Sequence, residues 1–167
     1  MSARLTTPWK RPSAWQKPPK MPIRCEIVSQ DRLVFEGDVD ILVAPGTDGE
    51  MGILPHHAPL LTTLNAGVLK VRTQGVEEVF AISGGVMEVR PNIVTVLADA
   101  AERADEIDVS RAEEARKRAE ESLRSGVPRN SDAYLAAEAA LRRSDLRIKV
   151  ARRRPNLPGR DNRDRSG

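Results

Sequence analysis

Four arginines in the C-terminal half of the chain have spacings that could form an anion-binding site: Arg111, Arg118, Arg143 and Arg147. The first two are seven residues apart and the last two are four apart, so each pair would share one face of a helix. A planar guanidinium group can donate two parallel hydrogen bonds to a phosphate group. Spacing alone favours a basic face in solvent, and it leaves open an anion site or convergence on the acids Glu102 and Asp108.

The only two histidines, His56 and His57, are adjacent and lie between Pro55 and Pro59. Adjacent side chains point to opposite sides of an extended chain, so the two rings would chelate one ion poorly. No carboxylate follows at the helical spacing of a zinc site. We therefore predict a proline-stiffened surface loop that makes a contact, and no metal site.

The remaining residue types give no indication of a self-sufficient enzyme. The glycines at 46–49 and 84–85 lack the spacing and the Lys-Ser/Thr pair of a phosphate-binding loop, so they predict turns. Neighbouring histidines do not suggest a Ser-His-Asp arrangement. Cys25 is the only cysteine, which excludes an intrachain disulfide and a cysteine metal cluster, and its apolar surroundings predict a core position.

The net charge of +3 hides an uneven distribution of charge. Residues 1–20 hold five bases and no acid, and residues 152–167 hold six arginines and two aspartates, which leaves 16 bases and 22 acids between them. An acidic central part argues against a nucleic-acid-binding core, where bases should cluster on folded elements. No apolar run approaches the length of a membrane span, so we expect no direct membrane insertion.

Residues 22–100 alternate between apolar and polar side chains, as half-buried strands do. Ile23, Cys25 and Ile27 form one such series, and Leu69 with Val71 belong to another. Turn signals recur every eight to ten residues, at Gly67, Gly75, Gly84-Gly85 and Pro91-Asn92. Short strands at this spacing predict an antiparallel sandwich or barrel.

Residues 101–151 are rich in Ala, Glu and Arg and predict an antiparallel two-helix hairpin. Ser110 and Glu113 have the spacing of a capping box, with Asp108 as the alternative cap. The break at 126–128 ends the first helix, and the second begins near Ser131. The apolar stripes are mostly alanine: Ala112, Ala115, Ala119 and Leu123, then Ala133, Ala137, Ala140, Leu141, Ser144 and Ile148. Because alanine buries little area, we expect a weakly held hairpin that can change partners.

The whole chain is therefore predicted to be an α+β protein with two tails. Residues 1–21 form a basic, proline-rich extension, and residues 152–167 form an arginine-rich tail. Both compositions predict disorder.

Three segments together resemble the epsilon subunit of bacterial and chloroplast ATP synthases. They are residues 46–62 (GTDGEMGILPHHAPLLT), residues 83–89 and 94–99 (SGGVMEV and VTVLAD), and residues 107–112 (IDVSRA). They occur in the family's order and spacing, and the resemblance covers about residues 22–151. It implies a β-sandwich followed by a helical hairpin, in agreement with the interpretation from composition and periodicity.

The resemblance also implies a non-catalytic subunit of the central stalk of a proton-transporting rotary complex. Its partners would be the gamma subunit, the c-ring and the alpha/beta catalytic head, at the cytoplasmic face of a bacterial plasma membrane. By position in the motif, Glu50 and His57 would contact the c-ring. The hairpin would lie folded on the sandwich or extend along gamma into the catalytic head and inhibit ATP hydrolysis.

Some bacterial members of the family bind ATP, which stabilises the folded hairpin, and no other cofactor is implied. Their motif matches this chain at eight positions: Glu102, Ile107, Asp108, Arg111, Ala112, Arg118, Arg143 and Arg147. The resemblance thus makes regulatory ATP an alternative to the solvated basic face. Two other hypotheses are a free-standing ATP sensor of the same fold and a nucleic-acid-binding protein that uses its tails, although the acidic centre disfavours the second.

Overall fold

The computed structural model describes residues 21–126 and 128–153, and it confirms the predicted order of strands and then helices. The strands are β1 Ile23–Ser29, β2 Leu33–Val39, β3 Ile41–Gly46, β4 Gly49–Ile53, β5 Leu60–Thr73, β6 Val76–Arg90, β7 Ile93–Ala98 and β8 Ala101–Arg103. The helices are α1 Val109–Arg124 and α2 Asp132–Ala151. The predicted extension and tail lie outside the described residues, except for Met21, Arg152 and Arg153.

The strands pair in the order β2-β1-β7-β6-β5-β3-β4, with β8 beside β6. All neighbouring strands are antiparallel except β1 and β7, which run parallel with Cys25 opposite Val94. The antiparallel prediction therefore holds with one exception. Parallel neighbours need a long connection, and here strands β2 to β6 provide it.

The predicted alternation places one side of each strand in a common core. Ile23, Cys25 and Ile27 are fully or almost fully buried, as are Leu69 and Val71. Burial raises the pKa of the Cys25 thiol to about 12, with a smaller contribution from the neighbouring Glu26 carboxylate. The thiol is therefore protonated at neutral pH and acts as a small core side chain.

Two of the predicted turns lie inside long strands, so the prediction of turns at these glycines is wrong. Gly67 is part of β5, and Gly84 and Gly85 are part of β6. Before the glycine pair β6 is bonded to β8, and from Gly85 onward it is bonded to β7. The pair has φ angles of 124° and 137°. These glycines therefore bend a continuous strand where its neighbours change.

The boundary between sandwich and hairpin differs slightly from the prediction. Strand β8 pairs with β6 through Ala101–Arg103, so the strands continue three residues beyond 100. Helix α1 is capped by Asp108, whose carboxylate accepts a hydrogen bond from the Arg111 amide at 3.1 Å. Ser110 instead donates to Asp108, so the capping box was the wrong choice of the two caps. The predicted start of the second helix near Ser131 is confirmed, since α2 begins at Asp132 and Ser131 caps it.

The helices pack on each other through the alanine stripes, and α2 packs on the sandwich. Ala112 and Ala119 of α1 are buried, as are Ala137, Ser144 and Ile148 of α2, whereas the predicted stripe residue Ala133 is exposed. Helix α2 contacts β5 and β6. An apolar cluster joins the hairpin and its linker to the sandwich and consists of Val68, Val79, Ala81, Ala104, Ile107, Val150 and Ala151. Neither described helix is long and apolar enough to cross a membrane.

Candidate functional site

A cavity of about 300 Å³ lies between the hairpin and the sandwich. Five alanines from the sandwich and the two helices are among its lining residues: Ala81, Ala100, Ala101, Ala115 and Ala140. Its charged lining comes from Glu102 on β8 and from Arg143 and Arg147 on α2. Three of the eight residues predicted for an ATP site therefore meet in one cavity.

An ion pair between the domains occupies one side of this cavity. Arg147 Nε lies 2.6 Å from one carboxylate oxygen of Glu102, and Arg147 Nη2 lies 3.0 Å from the other. The side chain of Arg143, one turn earlier, has no hydrogen bond or ion pair with any of the described residues. The cavity thus combines a paired guanidinium group with an unpaired one.

The other five predicted residues do not line the cavity. Ile107 is buried in the apolar cluster, and Ala112 is buried between the helices. Asp108 caps α1, and its hydrogen bond from the Arg111 amide is the main reason why its pKa is lowered. Arg111 is exposed, and Arg118 lies 3.7 Å from Glu114 on the solvent side. The four arginines therefore do not converge.

The two residues predicted for ring contact lie in neighbouring segments around β4. Glu50 follows the turn between β3 and β4, and its side chain is 58% exposed. His57 lies in the loop after β4, with its Nδ1 atom 2.8 Å from the Ala58 carbonyl oxygen. His56 adopts a positive φ of 63° and is exposed. The described residues contain no group of three potential metal ligands from His, Cys, Asp and Glu.

The sequence interpretation missed an apolar stripe on the outer surface of the sandwich. In the register of the sheet, Val28 pairs with both Leu33 and Leu97, and Leu97 also pairs with Val86. The side chains of Leu33 and Leu97 are about half exposed, at 54% and 55%. We call these four residues the outer stripe. In the sequence, the stripe is visible as an apolar residue at a solvent-facing position of each strand, where a half-buried sheet normally has a polar residue.

Leu61 is the most exposed large apolar residue described, at 71%, and extends the same surface. It lies on β5, two residues before Thr63, which pairs with Val86 of the outer stripe. Large apolar surfaces that remain exposed mark sites of contact with other proteins. The surface therefore predicts a protein partner.

These features define a class of protein: a β-sandwich with an appended helical hairpin, equipped with contact surfaces and a small interdomain cavity. Residues 22–104 match the family described as ATP synthase, Delta/Epsilon chain, beta-sandwich domain. Residues 105–152 match its long alpha-helix domain. The chain belongs to the delta/epsilon chain family of ATP synthases.

Curated relatives resemble it over nearly their whole length. The ATP synthase epsilon chain of Dehalococcoides mccartyi strain BAV1 is 51% identical over 138 residues, which are 81% of this chain and 96% of the relative. The ATP synthase epsilon chain of Herpetosiphon aurantiacus is 53% identical over 137 residues, which are 81% of this chain and 98% of the relative.

Solved structures share the fold at low sequence identity. A chain of the Euglena gracilis mitochondrial ATP synthase, in a structure of OSCP, F1 and the c-ring, has a TM-score of 0.66 at 22% identity. It covers 87% of this chain and 96% of its own length. A chain of the Tetrahymena thermophila mitochondrial ATP synthase, in a structure of the central stalk and c-ring, has a TM-score of 0.52 at 17% identity. The match covers 79% of this chain and 98% of the Tetrahymena chain.

Proposed function

We propose that this chain is the epsilon subunit of a bacterial F-type ATP synthase, a non-catalytic part of the central stalk. It would hold the gamma subunit against the c-ring and couple proton flow to ATP synthesis, at the cytoplasmic face of the plasma membrane. Support comes from relatives named ATP synthase epsilon chain that match over 96–98% of their length. A free-standing ATP sensor has no comparable support.

The observation that carries the regulatory part of this proposal is the small contact between hairpin and sandwich. The apolar residues that the two helices bring to this contact are few: Val109, Leu146, Val150 and Ala151. One ion pair joins Arg147 to Glu102. A fully buried valine stabilises a contact by about 1.5–3 kcal/mol, and an alanine contributes less. Such a hairpin can leave the sandwich and reach the catalytic head, where it would inhibit hydrolysis.

The outer stripe provides the surface for the gamma subunit. It lies on β2, β1, β7 and β6, whereas the hairpin packs on the residues Val68, Val79 and Ala81 of β5 and β6. A partner on the stripe therefore leaves the hairpin free to move. The exposed Glu50 of β4 and the half-buried His57 in the loop after β4 would then meet the c-ring.

Replacement of Leu97 by Asp tests the attachment to gamma. A carboxylate at the middle of the outer stripe would be desolvated on binding, so we expect affinity for a gamma-containing catalytic head to fall by about tenfold or more. Because Leu97 is 55% exposed, the melting temperature of the isolated chain should change little. Binding is measured by titration of a labelled chain.

Val76→Asp is the matched control, since Val76 is also about half exposed but lies outside the stripe, where β6 begins. It should leave the affinity unchanged. Equal losses in both variants would show that the stripe has no special role. If the unaltered chain fails to bind the head at all, the assignment as epsilon subunit is wrong.

The cavity between the domains supports regulatory ATP as a second part of the function. Its volume is at the lower end of the range for ligand pockets. Arg143 offers an unpaired guanidinium group, which suits a phosphate group. A nucleotide held there would contact both domains and would favour the folded hairpin by mass action.

Arg143→Ala tests this nucleotide site. We expect the Kd for ATP, measured by calorimetry on the isolated chain, to rise by about tenfold because a charge-assisted hydrogen bond is lost. Arg142→Ala is the control, since Arg142 is exposed and pairs with Glu138 one turn away. If the unaltered chain binds ATP and both variants bind it equally well, the cavity is not the binding site.

A further inference from the structure

Glu50 follows a turn whose backbone is tightly held. Pro45 pairs with Glu50, and Gly46 pairs with Gly49, so the ladder between β3 and β4 continues to the turn itself. Asn65 Nδ2 donates a hydrogen bond to the Gly46 carbonyl oxygen at 3.2 Å, which ties the turn to β5. The backbone thus sets the position of the Glu50 Cα atom but leaves the direction of its long side chain open.

A lysine from another strand gives the Glu50 side chain its direction. Strand β3 lies between β4 and β5, and Lys70 of β5 reaches across it to place Nζ 3.3 and 3.4 Å from the two carboxylate oxygens of Glu50. In the register, Val43 of β3 pairs with Lys70 on one side and with Gly52 on the other. Glu50 lies two residues before Gly52 on β4, so Lys70 meets it diagonally across β3.

The two partners differ in how firmly they are held. The Lys70 side chain is 20% exposed, whereas that of Glu50 is 58% exposed. Packing of the lysine stem against its neighbours has already removed much of its rotamer freedom, so the pair costs little further entropy on that side. The ammonium group therefore acts as a fixed point to which the exposed carboxylate is attached.

We propose that Lys70 is a positioning residue for the contact between this chain and the c-ring. It holds the Glu50 carboxylate in one direction and neutralises its charge until the ring is met. The inference deepens the proposed function, since it requires Glu50 to lie at the ring. Without Lys70 the carboxylate would sample several rotamers and present an unbalanced negative charge.

The test uses the assembled ATP synthase in inverted membrane vesicles, with the ratio of proton pumping to ATP hydrolysis as the readout. We expect Lys70→Met and Glu50→Gln each to lower this ratio by about twofold, a modest effect that fits an exposed ion pair. The double variant should be no worse than either single one, because both changes remove the same interaction. Lys70→Arg should retain most of the ratio.

Arg72→Met is the matched control. Arg72 lies two residues further along β5 and pairs with Glu77, so its loss removes an ion pair without affecting Glu50. The control should leave the ratio unchanged. If Lys70→Met and Arg72→Met lower the ratio and the melting temperature of the chain equally, Lys70 has only a structural role and the proposal is overturned.

Two further outcomes separate this inference from the proposed function. A decrease with Glu50→Gln but none with Lys70→Met would overturn the positioning role and leave the ring contact intact. If neither variant lowers the ratio although the chain is bound in the complex, Glu50 makes no functional ring contact. The positioning role then fails together with that part of the proposed function.

Discussion

A chain that ends at Asp105 should bind the catalytic head and gamma subunit normally but should no longer inhibit ATP hydrolysis. The truncation removes α1 and α2 and leaves all eight described strands, together with the outer stripe. The core of the sandwich contains no residue beyond Ala101, so its packing does not depend on the helices. We expect hydrolysis by a head carrying the truncated chain to be about fivefold or more above that with the full chain, as for a typical coupling between sites.

A substitution in the full chain tests the same idea in the opposite direction. Val150 is completely buried against the sandwich, in the apolar cluster. Val150→Asp would place a carboxylate among apolar side chains, which opposes docking of the hairpin. The hairpin should leave the sandwich more often. ATP hydrolysis should therefore be inhibited more strongly when the same fraction of catalytic heads carries the chain. Leu135→Asp is the control, because Leu135 lies on the same helix and is 53% exposed.

The truncated chain and Val150→Asp should change the inhibition of ATP hydrolysis in opposite directions. Together they therefore test whether the hairpin is the inhibitory element. Loss of inhibition in the truncated chain with a gain in Val150→Asp is the expected pattern. If the truncated chain inhibits as strongly as the full chain, the hairpin is not the inhibitory element. If Val150→Asp relieves inhibition although the variant binds, the docked hairpin is itself the inhibitory form.

The second large effect is expected at Gly85, the glycine at which β6 changes neighbours. An added Cβ atom would lie 2.2 Å from the Leu97 carbonyl oxygen and 2.8 Å from the Ala98 Cα atom. Both are backbone atoms of β7, which cannot move without breaking the ladder between β6 and β7. The φ angle of 137° adds backbone strain for any residue with a side chain. Gly85→Ala should therefore lower the free energy of unfolding by more than about 4 kcal/mol.

Gly75→Ala separates the strain from the steric clash. Gly75 lies in the turn between β5 and β6 with a φ of 87°, and an added Cβ atom would meet nothing within 4 Å. Here only the backbone conformation is unfavourable, and we expect a loss of about 1–2 kcal/mol. Urea unfolding of the isolated chain measures both values. Similar losses in the two variants would show that β7 moves aside and that the approach of the two backbones is not essential.

Local patterns in the sequence were sufficient for the order and type of the elements. The alternation around Cys25 and around Leu69 determines which side of each strand is buried, because successive side chains point to opposite faces. Helix α2 begins next to Ser131, where the sequence predicted its start. The segments that resemble the epsilon subunit likewise predicted the family, since residue order within a motif needs no knowledge of the fold.

Where two local signals compete, the sequence alone was not sufficient. Ser110 and Asp108 are both good caps, and the choice between them falls on the residue whose carboxylate reaches the Arg111 amide. Gly84 and Gly85 resemble a turn because glycine is typical of turns. They lie within β6 because the hydrogen bonds on either side of the pair are made to β8 and β7, which come later in the chain.

By itself, the sequence determined the α+β order, the sides of the strands that form the core and the family to which the chain belongs. Only the tertiary structure decided which distant residues meet. It pairs Arg147 with Glu102, 45 residues away, pairs Lys70 with Glu50 across β3, and leaves Arg118 in solvent with Glu114. It also aligns Leu33, Val28, Leu97 and Val86 into one stripe. The physical reason is that periodicity specifies the face on which a side chain lies, whereas the register between strands and the docking of helices specify its neighbours.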